Sequence, residues 1–145
     1  MKRAPRAVQV LLVGRMAMAR NPGWVRFESE EVGDKLGPLL RERGVYAFRW
    51  DRGPKTFPRY VPLYIGTTER SFIERFRGYF HPGPTQPTNQ KIKEFGDYHR
   101  IEVRCFPSED PVREERARIS AFENAVGMLP PLNKNRPSGR SRRSR

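Results

Sequence analysis

Six side chains are of types and spacings that could do chemistry together. Tyr46 lies in the run GVYAFRW at residues 44–50, and Tyr64 in PLYIGTT at residues 62–68, where it is followed directly by Ile65 and Gly66. Arg75 comes next, with Tyr79 one helical turn beyond it; Glu123 and Asn133 follow much later. A guanidinium is permanently charged and fork-shaped, which suits it to gripping phosphate oxygens in pairs. A phenol titrates near 10, so Tyr46 acts as a base only where a neighbouring cation lowers that value. Glu115, two turns before Glu123, is the competing carboxylate. His81 and His99 are too far apart and too poorly accompanied to hold zinc, and no glycine loop of the nucleotide-hydrolase type occurs.

The elements that must carry these groups follow from periodicity. Ser29 is placed to cap a helix from about Glu30 to Arg43, weakened at Gly37-Pro38 and stopped before Gly44. Two strands come next, around Gly44–Trp50 and Val61–Thr67, joined by a loop containing Gly53, Pro54 and Pro58. Alternation sets Tyr46, Phe48 and Trp50 on one face of the first strand, and Pro62 and Tyr64 on one face of the second. An antiparallel hairpin that put Tyr46 and Tyr64 on one face would bring both hydroxyls out on the same side. The run ERSFIERFRGYF predicts a helix with Phe72, Ile73, Phe76 and Phe80 as its apolar stripe and Arg75 and Tyr79 on the margin.

Three prolines and a glycine make residues 81–87 a loop, after which Thr88 can cap a short helix carrying Ile92 and Phe95. A third strand is expected in HRIEVRCF, where Ile101, Val103 and Cys105 alternate with charged residues. The last helix should begin at Asp110-Pro111 and stop at Pro130-Pro131, with Val112, Ile119, Phe122, Val126 and Leu129 as its stripe. Glu123 then falls on the edge of that stripe.

A chain of 145 residues with 36% apolar content fits one modest core. Of the formal charge of +13, residues 1–20 contribute five basic groups and residues 136–145 five more, so the body carries only +3. Basic ends on a near-neutral body suit a polyanion, because cations that meet phosphates release condensed counterions. The division expected is a basic arm at 1–23, a folded domain at 24–135 and a disordered basic tail at 136–145. Val8–Val13 could add a strand from the arm. The single cysteine, Cys105, points to a reducing compartment. Gln9 and Arg15 bound the apolar run near Met1 too closely for a secretory leader, and no apolar stretch is long enough to span a bilayer.

The ordered set of GVY, YIG, a helical arginine, a helical glutamate and an asparagine after prolines resembles the GIY-YIG nuclease superfamily over about Gly44–Asn133. The resemblance implies an α+β (α/β) fold, with a small three-stranded antiparallel sheet flanked by helices, and metal-dependent hydrolysis of DNA phosphodiesters. It implies Tyr46 and Tyr64 as paired phenols, Arg75 as the phosphate-facing cation, Tyr79 as its companion, Glu123 as the ligand of Mg2+ or Mn2+, and Asn133 as the polar residue closing the site. Thr67 stands where several members have a lysine, which leaves Lys55 or Lys91 as stand-ins. The Glu123–Asn133 interval is short, which makes Asn135 a competitor for Asn133. Arg77, Lys91, Arg136, Arg140, Arg142 and Arg143 are the expected nucleic-acid contacts. The substrate expected is DNA, with RNA left open, handled by a monomer or a homodimer in the cytoplasm at the nucleoid and not at a membrane. Restriction and structure-selective repair are the two roles weighed. The alternative is a non-catalytic nucleic-acid-binding protein that keeps the same fold.

Overall fold

The computed structural model describes residues 21–133, so the basic tail with Arg136, Arg140, Arg142 and Arg143, the strand suggested at Val8–Val13, and Asn135 lie outside the described residues. The described chain is α+β. A four-stranded antiparallel sheet has the order β1-β4-β2-β3, made by β1 (Val25–Arg26), β2 (Gly44–Asp51), β3 (Tyr60–Thr68) and β4 (Ile101–Pro107). The expected three strands are therefore corrected to four: Val25 and Arg26 pair with Val103 and Glu102 at the edge of β4. Two residues are too few to show an alternating pattern, which is why sequence periodicity passes over them.

The helices are α1 (Ser29–Leu36), α2 (Phe72–Phe80), α3 (Pro87–Tyr98) and α4 (Pro111–Val126), with a 3-10 turn at Gly37–Arg41. Ser29 is the first residue of α1 and not its cap; Glu28 takes that position without a side-chain bond. Gly37, at φ 49°, ends the α-helical stretch, and Pro38 starts the tighter turn that buries Leu39 and Leu40. Thr88 lies inside α3, behind Pro87, and caps nothing. At α4 the Asp110 carboxylate does cap, accepting from the Arg113 amide at 3.4 Å. That helix ends earlier than expected, at Gly127 in the left-handed conformation (φ 91°) rather than at Pro130-Pro131.

Strand β2 is hydrogen-bonded on both sides, and side chains from both of its faces, Val45 on one and Tyr46 and Phe48 on the other, are buried. Gly44 at its start admits no side chain, because a Cβ there would sit 2.2 Å from the Phe106 carbonyl oxygen. Along β3 the pairing shifts between Phe48 and Arg49, so that Tyr64 faces Phe48 while Pro62 faces Arg49. This bulge accommodates Leu63 and tolerates a proline that has no amide to give. The outer edge of β3 is covered by the chain after α4. Leu132 donates its amide to the Leu63 carbonyl at 2.9 Å, and Asn133 bonds both backbone groups of Ile65.

The core is largely aromatic. Phe27 stacks on Phe80 at 4.5 Å and meets Phe48 edge-on at 4.7 Å, while Phe76 lies edge-on to Tyr46 at 5.4 Å. Such rings have few rotamers and interlock, so the tyrosines set among them are held in place. The buried stripe of α2 is Phe72, Phe76 and Tyr79, with Ile73 and Phe80 flanking it. Tyr79 is thus a core residue and not a margin residue. On α4 only Pro111 and Ile119 are buried, and Val112 and Val126 of the expected stripe are exposed. No helix among the described residues is long and apolar enough to cross a membrane.

Candidate active site

Strands β2 and β3 bring Tyr46 and Tyr64 to one face of the sheet, through the cross-strand pairs Tyr46 with Gly66 and Phe48 with Tyr64. Gly66 is where the backbone must stay bare. A Cβ on it would lie 2.5 Å from both the ring carbon and the oxygen of the Tyr46 phenol, and 2.7 Å from the Tyr64 ring. The Tyr46 ring therefore lies across Gly66, filling the space that a side chain would take. Its hydroxyl meets the Tyr79 hydroxyl at 2.6 Å, and Arg75 Nε donates to it at 3.0 Å. Tyr64 lies beside them, half-buried, with its ring 6.3 Å from that of Tyr46 and 6.5 Å from that of Tyr79.

One phenol with no exposure, Tyr46, braced by the equally buried Tyr79, thus holds one end of a guanidinium whose side chain is otherwise exposed. Ser71 starts this arrangement by capping α2, its hydroxyl accepting from the Glu74 amide at 3.3 Å. Arg75 then opens onto a cleft of about 320 Å³ lined by Thr67, Thr68, Glu69, Arg70 and Glu74 as well. Glu74 pairs with Arg70 at 3.2 Å, and among the described residues no ion pair engages Arg75.

Electrostatics sort the roles. Burial pushes the Tyr46 phenol well above its ordinary value, and the nearby Tyr64 adds to the rise; Arg75 acts the other way and is outweighed. The sequence-based condition for Tyr46 as a base, a lowered pKa, is thus not met by Arg75 alone. Tyr79 and Tyr64 are raised as well, again chiefly by burial. Burial works against the Arg75 charge, but the Tyr46 and Tyr79 oxygens around it more than offset this and its pKa rises. The corner therefore holds three protonated phenols around a fixed cation.

The carboxylate whose charge reaches this corner is Glu115. Burial raises its pKa to about 7, while Arg75 and then Arg116 pull it down, and its own charge is felt at Tyr64. Among the described residues no hydrogen bond or ion pair satisfies it. Glu123 is half-buried on the last turn of α4, eight residues on, which is about 12 Å along the helix axis. Asn133 is brought to the hairpin but not to the phenols. Its side-chain oxygen accepts from the Ile65 amide and its nitrogen donates to the Ile65 carbonyl, both at 2.9 Å. Its amide therefore pins the strand that carries Tyr64 and Gly66.

The lysines weighed as stand-ins lie elsewhere. Lys55 is on the hairpin tip, and Lys91 lines a separate cleft with Glu94, Phe95, Tyr98, His99 and Leu132. Arg77 is exposed on the last turn of α2. His99 packs against the Trp50 and Phe95 rings, at 5.0 and 4.4 Å. Sequence reasoning missed Arg70 as part of the Arg75 cleft and read Thr67-Thr68 as the helix cap, a place that Ser71 takes, with the threonines lining the cleft instead. The chain matches no family model, no curated protein and no solved structure.

Proposed function

We propose that this chain is a metal-dependent endonuclease that hydrolyses DNA phosphodiester bonds, of the GIY-YIG type, in a restriction-type or structure-selective repair role. The observation that carries this reading is the buried Tyr46–Tyr79 hydroxyl pair holding Arg75 by its Nε beside an open polar cleft. A guanidinium pinned at Nε by Tyr46, with Tyr64 also bonding to it, still has donors left for an anion, and a preorganised cation gains most where charge grows on nonbridging phosphate oxygens. The excess of basic residues over acidic ones, +13 in all, favours a polyanionic substrate.

Among the described residues no three His, Cys, Asp or Glu side chains gather, so a hard divalent cation would take a single carboxylate here and complete its shell with phosphate oxygens and water. Glu115 offers a half-buried carboxylate, unsatisfied among the described residues and destabilised as an anion, which is a donor that such an ion would relieve. Glu123, on the same helix, is the ligand that the resemblance implies. Mg2+ or Mn2+, when bound, supplies relief of charge on the leaving oxygen. Tyr46 and Tyr79 position Arg75 and keep their protons; Tyr64, half-buried, is the phenol able to reach a substrate or its water.

The second reading, a nucleic-acid-binding protein without turnover, is favoured by the complete burial of Tyr46, which keeps its hydroxyl from any attacking water. Nicking of supercoiled plasmid in Mg2+ or Mn2+ decides between them. The nuclease reading expects metal-dependent nicking by the wild type that is lost in Glu123→Ala or in Glu115→Gln, and the one that abolishes it names the ligand. A wild type that binds plasmid and never nicks it supports the binder.

A further inference from the structure

The tip of the β2–β3 hairpin, residues 52–59 (RGPKTFPR), combines three basic residues with no acidic one and presents Phe57 almost wholly to solvent, at 97% exposure. An isolated surface phenylalanine needs no explanation by itself. This one sits on a braced support. The Asp51 carboxylate accepts from the Gly53 amide at 2.9 Å and from Arg59 Nε and Nη2 at 2.7 and 3.1 Å, and pairs with Arg100 at 3.3 Å. Across the base of the tip, Arg52 donates its amide to the Arg59 carbonyl at 2.7 Å, and Thr56 closes a turn onto the Gly53 carbonyl at 3.2 Å. The loop is thus held by its base, and the ring it presents touches none of the aromatic core.

We infer that this tip is a stacking element for DNA, in which Phe57 packs on an unpaired base while Arg52 and Lys55 meet the neighbouring phosphates. The occupant is set by charge: Arg52 and Lys55 share the tip with Phe57, Arg52 lying 5.5 Å from the Trp50 ring; the third cation, Arg59, is committed to Asp51, and nothing acidic lies on the tip to attract a basic partner. Every base offers a π-face to an aromatic ring, whereas an intact duplex offers none along its length, so the fit is to DNA with unpaired bases beside a duplex. Bracing lowers the ordering cost of binding. Five residue-to-residue steps along the strand from Tyr46 to Asp51, and the tip beyond them, put Phe57 roughly 20 Å from the phenol pair, about six nucleotides of stacked rise. One strand of DNA could then engage both.

This inference rests on the nucleic-acid part of the proposed function but not on turnover, so its test is run in EDTA. Fluorescence anisotropy would compare a fully paired oligonucleotide with a forked one of the same length, for the wild type, Phe57→Ala, Phe57→Leu and Phe57→Trp. The exposed position makes unchanged thermal midpoints the expectation for all three variants. The expected result is that Phe57→Ala and Phe57→Leu bind the forked DNA about 10-fold more weakly and the duplex within 2-fold of wild type. Phe57→Trp should keep forked binding and show indole quenching on it. Lys55→Ala should weaken both DNAs alike and lower the salt slope by about one. Forked binding by Phe57→Ala equal to wild type, equal losses on both DNAs, or an unquenched tryptophan would overturn the assignment. A wild type that binds neither DNA would sink the nucleic-acid reading itself.

Discussion

The two ends of the hairpin treat charge in opposite ways. At the Gly44 end, one guanidinium is surrounded by phenols, and the nearby carboxylate of Glu115 has its pKa raised to about 7. At the Asp51 end, two nearly sealed carboxylates meet three guanidiniums. Asp51 takes Arg59 and Arg100, while Glu102 takes Arg49 at 2.8 Å and Arg100 at 3.4 Å. Arg49 is further sandwiched between the Trp24 and Tyr60 rings, at 4.2 and 3.5 Å from their centroids. The hydrogen bond from Arg59, more than burial opposes it, lowers Asp51 to about 2. One network is saturated and serves the fold; the other leaves a cation and a carboxylate wanting partners, which is the condition of a site.

That contrast can be broken from either side. Gly66→Ala should do most harm, since its Cβ collides with the Tyr46 phenol in a packed aromatic core. A loss of about 2–3 kcal/mol in urea denaturation is expected, together with loss of any nicking. Asp51→Asn leaves Arg59 without its anion and Arg100 with Glu102 alone. Both stay almost half exposed (41% and 46%) and can rehydrate, so about 2 kcal/mol is expected, with nicking per folded molecule unchanged. Removing one hydroxyl by Tyr79→Phe should cost about 1 kcal/mol and reduce nicking without abolishing DNA binding.

The smallest effect is a matter of sign. Glu115 has a folded pKa near 7 against an ordinary 4.5, so the native state holds its proton more tightly than the unfolded chain. The stabilisation this brings is full below pH 4.5 and is lost as pH rises through 7. Glu115→Gln, which never ionises, should therefore match wild type at pH 4 and show the higher thermal midpoint at pH 8. Added Mg2+ at pH 8 should raise the wild-type midpoint and leave that of Glu115→Gln where it was. A midpoint difference that does not change with pH would show that Glu115 is already ionised and comfortable.

Much of this frame was legible in the sequence because it depends on short-range pattern. The observed β2 (Gly44–Asp51) and β3 (Tyr60–Thr68) differ from the expected strands by a residue or so at the ends, and the pairing Phe48 with Tyr64 meets the condition under which both tyrosines share a face. The helix break at Gly37-Pro38 followed from glycine and proline chemistry alone. What escaped depends on tertiary contact. Tyr79 reads as a polar margin on a helical wheel, and its burial depends on a hydroxyl partner on another element, Tyr46. Asn133 reads as a site residue, but its amide is spent on the edge of β3, a partner 68 residues away. Glu115 and Glu123 lie on one helical face, and no spacing rule says which of them Arg75 neighbours.

That Arg75, held by Tyr46 and through it by Tyr79, is the phosphate-facing cation of a cutting site is tested most directly by Arg75→Lys. A lysine keeps the charge but has neither the Nε that meets Tyr46 nor the planar fork. Single-turnover nicking of plasmid in Mg2+ should fall about 100-fold or more, with binding in EDTA within a few-fold of wild type. Nicking by Arg75→Lys at the wild-type rate would contradict the account.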